Sequence, residues 1–277
     1  MPISMPAGHA AFPAGVFQSG WRHRRLILRL AKHEIEARYR GSLLGKLWAA
    51  LTPLFLLAMY TFVFVAIFPA KWNDQVYGTA NVALLYFIGL ILFDFLFECV
   101  VRAPGLVSEY AGLIKKVPFP TEVIAWVALA TAVFRAAVSA CILLVFYLAV
   151  DGLPPVSALS IPITLAPLVL IALGTIWVLA VVGAFVRDVR HLTGLVAPAA
   201  MFLTPIFYPL SAVPEPYRYL LYANPLSLAV EDSRRALFDG GWPQWGMLAA
   251  YGIIAWVFVC GAYWTFMRVK MDLADVA

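Results

Sequence analysis

The chain has 277 residues, of which 63% are hydrophobic and only 13% are charged, and its mean hydropathy is +0.87. Average soluble domains carry about 25% charged residues, because a surface in water must be covered by polar groups. The composition therefore excludes a soluble globular enzyme, a disordered chain and a nucleic-acid-binding module, despite the net charge of +5. It is typical of a polytopic α-helical membrane protein.

The first 46 residues divide into a loose tail and a basic helix. Residues 1–20 are rich in Pro, Gly and Ala, and we expect a flexible tail there. Residues 21–46 predict an amphipathic helix in the cytoplasmic headgroup layer, because basic side chains surround one apolar stripe. That stripe comprises Trp21, Leu28, Ala31, Ile35 and Tyr39. Gly41 and Gly45 then allow a turn into the first span; a basic anchor that only fixes orientation is the alternative interpretation.

The segment GSLLGK at residues 41–46 has some features of a phosphate-binding loop, but its pattern does not fit one. Only three residues separate the glycines, and Leu47 replaces the Ser or Thr that would hold magnesium. The segment also precedes a membrane helix instead of following a strand. We therefore expect neither an ATP site nor a resident cofactor or metal in this chain, which would make it a transport subunit and not an enzyme.

Six apolar segments follow, each long enough to supply the roughly 20 helical residues that cross a bilayer core. They cover about residues 47–68, 82–101, 123–150, 157–185, 194–212 and 245–267. The fifth segment contains Pro198, Pro205 and Pro209, and prolines remove backbone donors and bend helices. We expect this helix to be bent and to line a passage, and simple helix packing is the alternative. The candidate lining residues are Phe202, Phe207 and Tyr208.

Lys and Arg residues are unevenly distributed between the loops. Of the 20, fifteen lie before residue 47, in the loops after the second and fourth spans, or after the sixth. Positive residues mark the cytoplasmic side, so both termini are predicted to be cytoplasmic. The domain organisation is then a tail at 1–20, an interface helix at 21–46, a transmembrane domain at 47–268 and a cytoplasmic tail at 269–277.

Three ionisable residues fall inside predicted spans, where charges are costly and often functional. Asp94 and Glu98 are four residues apart on one face of the second helix, and Arg135 lies within the antiparallel third helix. We interpret these three residues as an intramembrane ion pair. A proton relay built on the two carboxylates is the alternative.

The segment 213–244 is too polar to span a membrane and too apolar to be an ordinary loop. Pro225 divides it into two amphipathic pieces, and Tyr217, Tyr219 and Tyr222 suit the headgroup level. An aromatic belt is the alternative to a functional role for these rings. We expect the nearby charges to pair with one another; they are Glu231, Asp232, Arg234 and Arg235.

A series of short motifs resembles one family of membrane proteins. Residues 37–45 read ARYRGSLLG, followed by LWA at 47–49, TPL at 52–54 and YTFVF at 60–64. Near the end, YANPL occupies residues 222–226, and Arg235 follows it. Over residues 22–268, the order and spacing of these motifs resemble type-2 ABC exporter permeases. The resemblance is strongest to the branch that exports lipid-linked polysaccharides such as O-antigens, capsules and teichoic acids.

The resemblance implies an all-α membrane protein with six transmembrane helices, an N-terminal interface helix and extracytoplasmic re-entrant gate helices before the last span. It implies that the tyrosines of segment 213–244 lie at the exit gate, and that the loop 102–122 contains a coupling helix that fits a groove on a separate ATPase. By this resemblance, the first set of ATPase contacts is Leu113, Ile114, Lys115, Lys116, Val117, Pro118 and Phe119. A second set is Arg187, Asp188 and Arg190.

The resemblance also implies the partners. The family forms homodimers with the path at the dimer interface, bound to two copies of a cytoplasmic ABC ATPase that holds ATP and magnesium. The expected substrate is a polysaccharide, with O-antigen preferred over capsule or teichoic acid, on an undecaprenyl-diphosphate carrier in the bacterial inner membrane. Basic residues at the membrane surface would attract the diphosphate of that carrier. The candidates are Arg24, Arg25, Arg38 and Arg40.

Three other functions are considered. A proton-driven secondary transporter or flippase would use Asp94 and Glu98. A membrane transferase acting on lipid-linked sugars would need clustered acidic ligands, whereas Asp74, Asp151 and Asp188 are widely separated in the sequence. A small-drug exporter of the same family is less consistent with the N-terminal motifs.

Overall fold

The computed structural model describes residues 14–63, 79–116 and 118–276, and all regular secondary structure in these ranges is helical. The α-helices in chain order are α1 (Ala14–Arg22), α2 (Arg24–Arg38), α3 (Trp48–Thr61), α4 (Thr79–Arg102), α5 (Leu106–Glu109), α6 (Ala111–Lys116), α7 (Val123–Val150), α8 (Ile161–Phe185), α9 (Val189–Phe202), α10 (Glu215–Ala223), α11 (Pro225–Phe238) and α12 (Trp245–Val276).

Four helical stretches of the described chain are long and apolar enough to cross a membrane. They are Asn81–Lys116, Val123–Val150, Val156–Phe185 and Trp245–Leu273. The first predicted span begins as α3, which has 14 residues, and residues 64–68 of that span lie outside the described ranges. The chain is thus a multi-pass helical membrane protein, while the count of six spans stays a prediction.

The fifth predicted span differs from the expected bent helix. α9 ends at Phe202, residues 203–209 are irregular, and a short 3-10 turn follows at Leu210–Ala212. Pro198 is accommodated inside α9, but Pro205 and Pro209 lack N–H donors and disfavour a helical residue before them. The later prolines therefore interrupt this helix instead of bending it.

The N-terminal tail also differs from the expectation, because its described part is folded. α1 buries Val16, and the ring of Phe17 stacks on Trp256 of α12 with centroids 5.4 Å apart. The indole N–H of Trp126 in α7 donates to the Ser19 hydroxyl at 3.2 Å. Gly20 lets this helix lie close to α7, because a Cβ there would lie 2.9 Å from the Trp126 ring. The expected flexible tail is therefore wrong for residues 14–20, and residues 1–13 lie outside the described chain.

The interface helix buries the expected stripe only in part, because Ala31 of that stripe is buried whereas Trp21 and Leu28 are exposed. α2 packs on α7 through Ile27 and Ala31, which contact Val123 and Val127 in one apolar cluster. Leu28, a member of the predicted stripe, is 66% exposed. Apolar residues occupy several faces of this helix, so periodicity alone did not fix the face that meets α7. After α2, Gly41 adopts φ +85° and the chain turns towards α3 as the sequence predicted.

The core forms where α8 packs between α4, α7 and α12. Ile176 and Trp177 of α8 are fully buried, and α8 also contacts the turn Ala103–Gly105 that follows α4. Gly183 permits that contact, because a Cβ at this position would lie 2.4 Å from the Pro104 backbone. Small residues at such crossings allow helices in membranes to pack closely. This packing fixes the turn after α4 against the end of α8.

The last helix links the two ends of the bundle. α12 has 32 residues, and near its C-terminus Lys270 forms an ion pair with Glu122 at 2.6 Å, just before α7 begins. Leu273 is fully buried there, and α12 also contacts α6. The C-terminal part of α12 is therefore packed and not a free tail. It belongs to the basic end of the molecule, which comprises α2, the end of α4, α5, α6 and the turn at residues 186–188.

We expect Gly183→Ala to destabilise the protein, because its Cβ would overlap rigid Pro104 backbone instead of a movable side chain. Overpacking of this kind costs roughly 1–3 kcal/mol and should lower the thermal unfolding midpoint of the detergent-solubilised protein. The matched control is Gly252→Ala in α12, where a Cβ would meet no atom within 4 Å. The control should hold or raise the midpoint. An equal loss in both variants would contradict the close packing at Gly183.

Candidate functional site: the polar cleft at the basic end

Arg102, the last residue of α4, lies at the centre of a hydrogen-bond network. Its Nη1 and Nη2 donate to the two carboxylate oxygens of Glu34 in α2, each at 2.8 Å. Nη2 also donates to Glu109 at 3.1 Å, and Nη1 donates to the Thr131 hydroxyl of α7 at 3.1 Å. The Tyr110 hydroxyl donates to Glu34 as well. Since bidentate arginine–carboxylate pairs fix geometry, one guanidinium holds together α2, α4, α5 and α7.

A second charge cluster lies one helical turn before Arg102. Glu98 Oε1 accepts hydrogen bonds from Arg135 Nη1 at 2.7 Å and from Arg38 Nη1 at 3.3 Å. The structure thus joins Arg135 to Glu98 and adds Arg38 of the interface helix to the predicted intramembrane pair. Asp94 is exposed and forms no ion pair or hydrogen bond within the described part of the chain. Asp94 lies one turn before Glu98 on α4, and only the Glu98 carboxylate reaches both arginines.

The Arg102 network, together with Arg38 and Arg135 of the second cluster, lines a cleft of about 500 Å³ between α2, α4, α6 and α7. Its charged walls include Arg38, Arg102 and Arg135, and its apolar walls include Leu30 and Phe134. A cleft that combines fixed cations with apolar surface is suited to an anionic group attached to a hydrophobic tail.

Of the four arginines predicted to contact a lipid headgroup, only Arg38 lines this cleft. Arg24 lies over the ring of Trp21 at 4.5 Å from the centroid and donates to its carbonyl at 3.1 Å. Arg25 and Arg40 are exposed. Arg102 and Arg135 were missed as cleft residues, although each sits in or at the end of an apolar segment, which is the signal that points to function.

The predicted coupling segment contains exposed and packed residues. Leu113, Lys115 and Lys116 are exposed on α6, and Pro118 is exposed after it. By contrast, Phe119 stacks on Tyr110 with centroids 6.0 Å apart, and Ile114 packs against the core. Val117 lies outside the described residues. The exposed part of this segment is thus basic and apolar, and it adjoins the Arg102 network through Glu109 and Tyr110.

The second predicted contact lies at the same end of the molecule. Arg187 and Asp188 are exposed in the turn between α8 and α9. The guanidinium of Arg190 packs over Gly105, about 3.3 Å from the position of a Cβ on that residue. The second predicted segment thus packs against the turn that leads into α5 and α6, and by the predicted orientation it lies on the cytoplasmic side.

At the opposite end, α10 and α11 correspond to the two amphipathic pieces predicted around Pro225. Asn224 caps α11 by accepting from the Leu226 N–H at 3.0 Å. The same side-chain amide donates to the Leu203 carbonyl at 3.2 Å and to the Thr204 hydroxyl at 3.0 Å. Both ends of one amide are used. The residue that begins α11 therefore also holds the break after α9.

Arg234 has a role that the sequence analysis missed. Its guanidinium is buried and donates to the carbonyls of Leu85 at 3.0 Å, Pro205 at 2.7 Å and Ile206 at 2.6 Å. Pairing among the α11 charges is seen instead between Arg235 and Asp232 at 3.4 Å. A signal did exist: Arg234 lies on the stripe that starts at Leu226 and repeats at helical spacing, and this stripe is buried.

The residues predicted for a path or gate are divided between surface and core. Phe202 and the three tyrosines Tyr217, Tyr219 and Tyr222 are exposed. Phe207 is partly buried, with its ring 6.0 Å from Tyr60 and 5.8 Å from Tyr86. The Tyr208 hydroxyl donates to the Phe202 carbonyl at 2.9 Å. Their proposed roles in a path stay predictions.

Comparison with known proteins places this architecture among transporters. The profile of the ABC-2 type transporter family matches residues 25–238. The chain is 25% identical to an O-antigen export system permease protein RfbA of Myxococcus xanthus, over 92% of this chain and 96% of that protein. It is 23% identical to an RfbA of Klebsiella pneumoniae, over 91% and 94%. It is 26% identical to the polysialic acid transport protein KpsM of Escherichia coli, over 80% and 85%.

We expect Arg234→Met to destabilise the protein strongly, because it removes the donors to three carbonyls. Each hydrogen bond from a charged group contributes about 1.5–3 kcal/mol, so the loss should exceed ~3 kcal/mol. Arg218→Met on α10 provides a graded comparison, since Arg218 donates to the Val213 carbonyl at 2.7 Å. Thermal unfolding and the rate of proteolysis within residues 203–212 are the measurements. Equal effects of the two substitutions would contradict the role assigned to Arg234.

Proposed function

Because the chain belongs to the ABC-2 type transporter family, we propose that it is the permease subunit of an ATP-driven exporter of a lipid-linked polysaccharide. The observation that carries the proposal is the family match over most of the chain, with relatives named for export of O-antigen and transport of polysialic acid. O-antigen is the preferred cargo; capsule or teichoic acid is the alternative within the same class.

The proposed energy source is a separate ABC ATPase on the cytoplasmic side. Its docking surface would be the exposed basic segment formed by Leu113, Lys115 and Lys116, together with the turn at Arg187 and Asp188. ATP and magnesium would be bound by that partner, because the 41–46 segment lacks the pattern of a nucleotide site. This chain would then bind and conduct the cargo without catalysing a reaction.

A displacement of the docking surface would be transmitted to the rest of the permease through the Arg102 network. α5 and α6 follow directly from the turn after α4, and Glu109 and Tyr110 connect them to Arg102 and Glu34. A shift of α6 would therefore act on the interface helix α2 and on the end of α4 together. Packed cores and ion-pair networks with discrete arrangements transmit such displacements.

A second copy of the chain would complete the path. Large apolar side chains are exposed on α3, α9 and α12, among them Phe55, Leu195 and Ile253. Lipid or another protomer must cover such faces in a membrane. We propose a homodimer in the bacterial inner membrane with both termini cytoplasmic, two ATPase copies, and the path between protomers. Phe202, Tyr217 and Tyr219 would offer rings to sugar faces near the exit.

The proton-driven alternative gains no support from this geometry. Its two carboxylates have different surroundings: Glu98 is held between two arginines, and Asp94 is exposed without such partners among the described residues. A relay through both carboxylates would have to break the ion pairs that hold Glu98. Asp74, considered for a transferase, lies outside the described residues.

Replacement of Lys115 and Lys116 together by Glu should reduce co-purification of the ATPase several-fold, because the exposed basic surface of α6 reverses its charge. Both side chains point away from the core, so the permease should fold normally. The matched control replaces two exposed residues at the opposite end, Tyr217 and Tyr219, with Ala. Undiminished ATPase retention by the Glu variant would refute this docking surface.

Export by the reconstituted permease–ATPase complex should require ATP and persist when a proton ionophore collapses the gradient. The measurement is the appearance of lipid-linked polysaccharide on the far side of proteoliposomes. Asp94→Asn should retain transport in this scheme. Transport that survives without ATP but stops with the ionophore would replace the proposal by the proton-driven mechanism.

A further inference from the structure

The Arg38–Glu98–Arg135 cluster contains more positive charge than its single carboxylate balances. Both guanidiniums donate to the same oxygen of Glu98, and each uses one N–H group to do so. The side chains of Arg38 and Arg135 are 42% and 43% exposed, whereas that of Glu98 is 13% exposed. A guanidinium carries five N–H donors, so both arginines retain donors that can reach a ligand in the cleft.

The other arginine of the cleft differs in this respect. Arg102 pairs with the carboxylates of both Glu34 and Glu109, and its side chain is only 18% exposed. The charge of Arg102 is therefore already balanced by two carboxylates. The excess of positive charge in the cleft is therefore located at Arg38 and Arg135, beside the apolar walls formed by Leu30 and Phe134.

Asp94 is the other carboxylate on this face of α4, and it acts electrostatically on Arg135. It lies one turn before Glu98 on α4, and in the described part of the chain neither arginine donates a hydrogen bond to it, whereas both donate to Glu98. Asp94 can therefore moderate the field at Arg135 without competing for the donors that face the cleft. This difference between two carboxylates on one helix provides a matched control.

We propose that Arg38 and Arg135 together form a binding site for the phosphate group of a membrane lipid, for which Glu98 competes. This assignment rests on the proposed function, in which the cargo is carried on a phosphate-linked lipid. Phosphate oxygens match the fork of a guanidinium and accept several charge-assisted hydrogen bonds at once. The cleft of about 500 Å³ has room for such a group and the first part of its apolar chain.

The competition gives Glu98 a definite part in binding. An arriving phosphate takes donors from the Glu98 carboxylate, so the contact from Arg38, the longer one at 3.3 Å, is the first to be exchanged. Since Arg38 ends α2 and Arg135 belongs to α7, the bound phosphate bridges the interface helix and a long apolar helix. Removal of the charge of Glu98 should then strengthen binding.

The test is lipid binding to the purified full-length permease–ATPase complex, measured by native mass spectrometry in detergent. The probe is undecaprenyl diphosphate, with undecaprenol and inorganic diphosphate as comparators. Arg38→Gln and Arg135→Gln should each weaken binding of the probe about tenfold, while Glu98→Gln should tighten it several-fold. Asp94→Asn, which removes a nearby carboxylate that accepts from neither arginine, should tighten binding less than Glu98→Gln does.

The Glu98→Gln variant decides the question even if an arginine variant fails to fold. A purely structural ion pair predicts weaker or unchanged binding in Glu98→Gln, and either result would overturn the site. Equal binding of undecaprenol would exclude phosphate recognition. Displacement of the probe by equimolar inorganic diphosphate would exclude the lipid as the source of the phosphate.

The outcomes for this site and for the proposed function are separable. A complex that exports polysaccharide with ATP but does not bind the probe would overturn the phosphate site alone. Binding that follows the expected order of variants, in a complex that exports nothing, would support the site and count against the proposed function.

Discussion

A backbone carbonyl that is buried away from water needs a donor, and this requirement governs the end of the molecule formed by residues 203–209, α10 and α11. Prolines end α9 early and leave an irregular segment against α4 and α11. Arg234 supplies donors to the carbonyls of Pro205 and Ile206 and to that of Leu85 in α4. Asn224 supplies further donors to the same break. Non-helical backbone is tolerated at this depth because protein groups replace the missing helical partners.

At the basic end, too, a single arginine connects several helices, but there most of its acceptors are carboxylates and not backbone carbonyls. One guanidinium, that of Arg102, joins the interface helix, the end of α4, the short helix α5 and α7. Because Lys115 and Lys116 lie on the next short helix, a protein bound there is one hydrogen-bonded step from the interface helix. The cleft lies along that route, so under the proposed function cargo binding and partner binding would act on shared residues.

Much of the architecture could be predicted from the sequence, because long apolar runs in lipid have few alternatives to a helix. The division at Pro225 and the turn at Gly41 follow from residue types with narrow backbone preferences, whereas the short helix in the loop 102–122 was expected from the family resemblance. The buried face of α2 could not be predicted, since several apolar stripes compete and α7 selects one. The role of Arg234 was hidden for a similar reason: its carbonyl partners are distant in sequence and become available only where α9 ends.

α12 carries a consequence for how the two ends of the molecule move. At 1.5 Å per residue, its 32 residues extend about 48 Å, well beyond the ~30 Å hydrocarbon thickness. Near its C-terminus, α12 pairs with Glu122 and contacts α6. Its N-terminus follows α11 after only six residues, 239–244. A continuous helix of this length resists bending, so its two ends move together. A tilt of α12 at its Lys270 end would therefore move its other end, which follows α10 and α11, by the same angle.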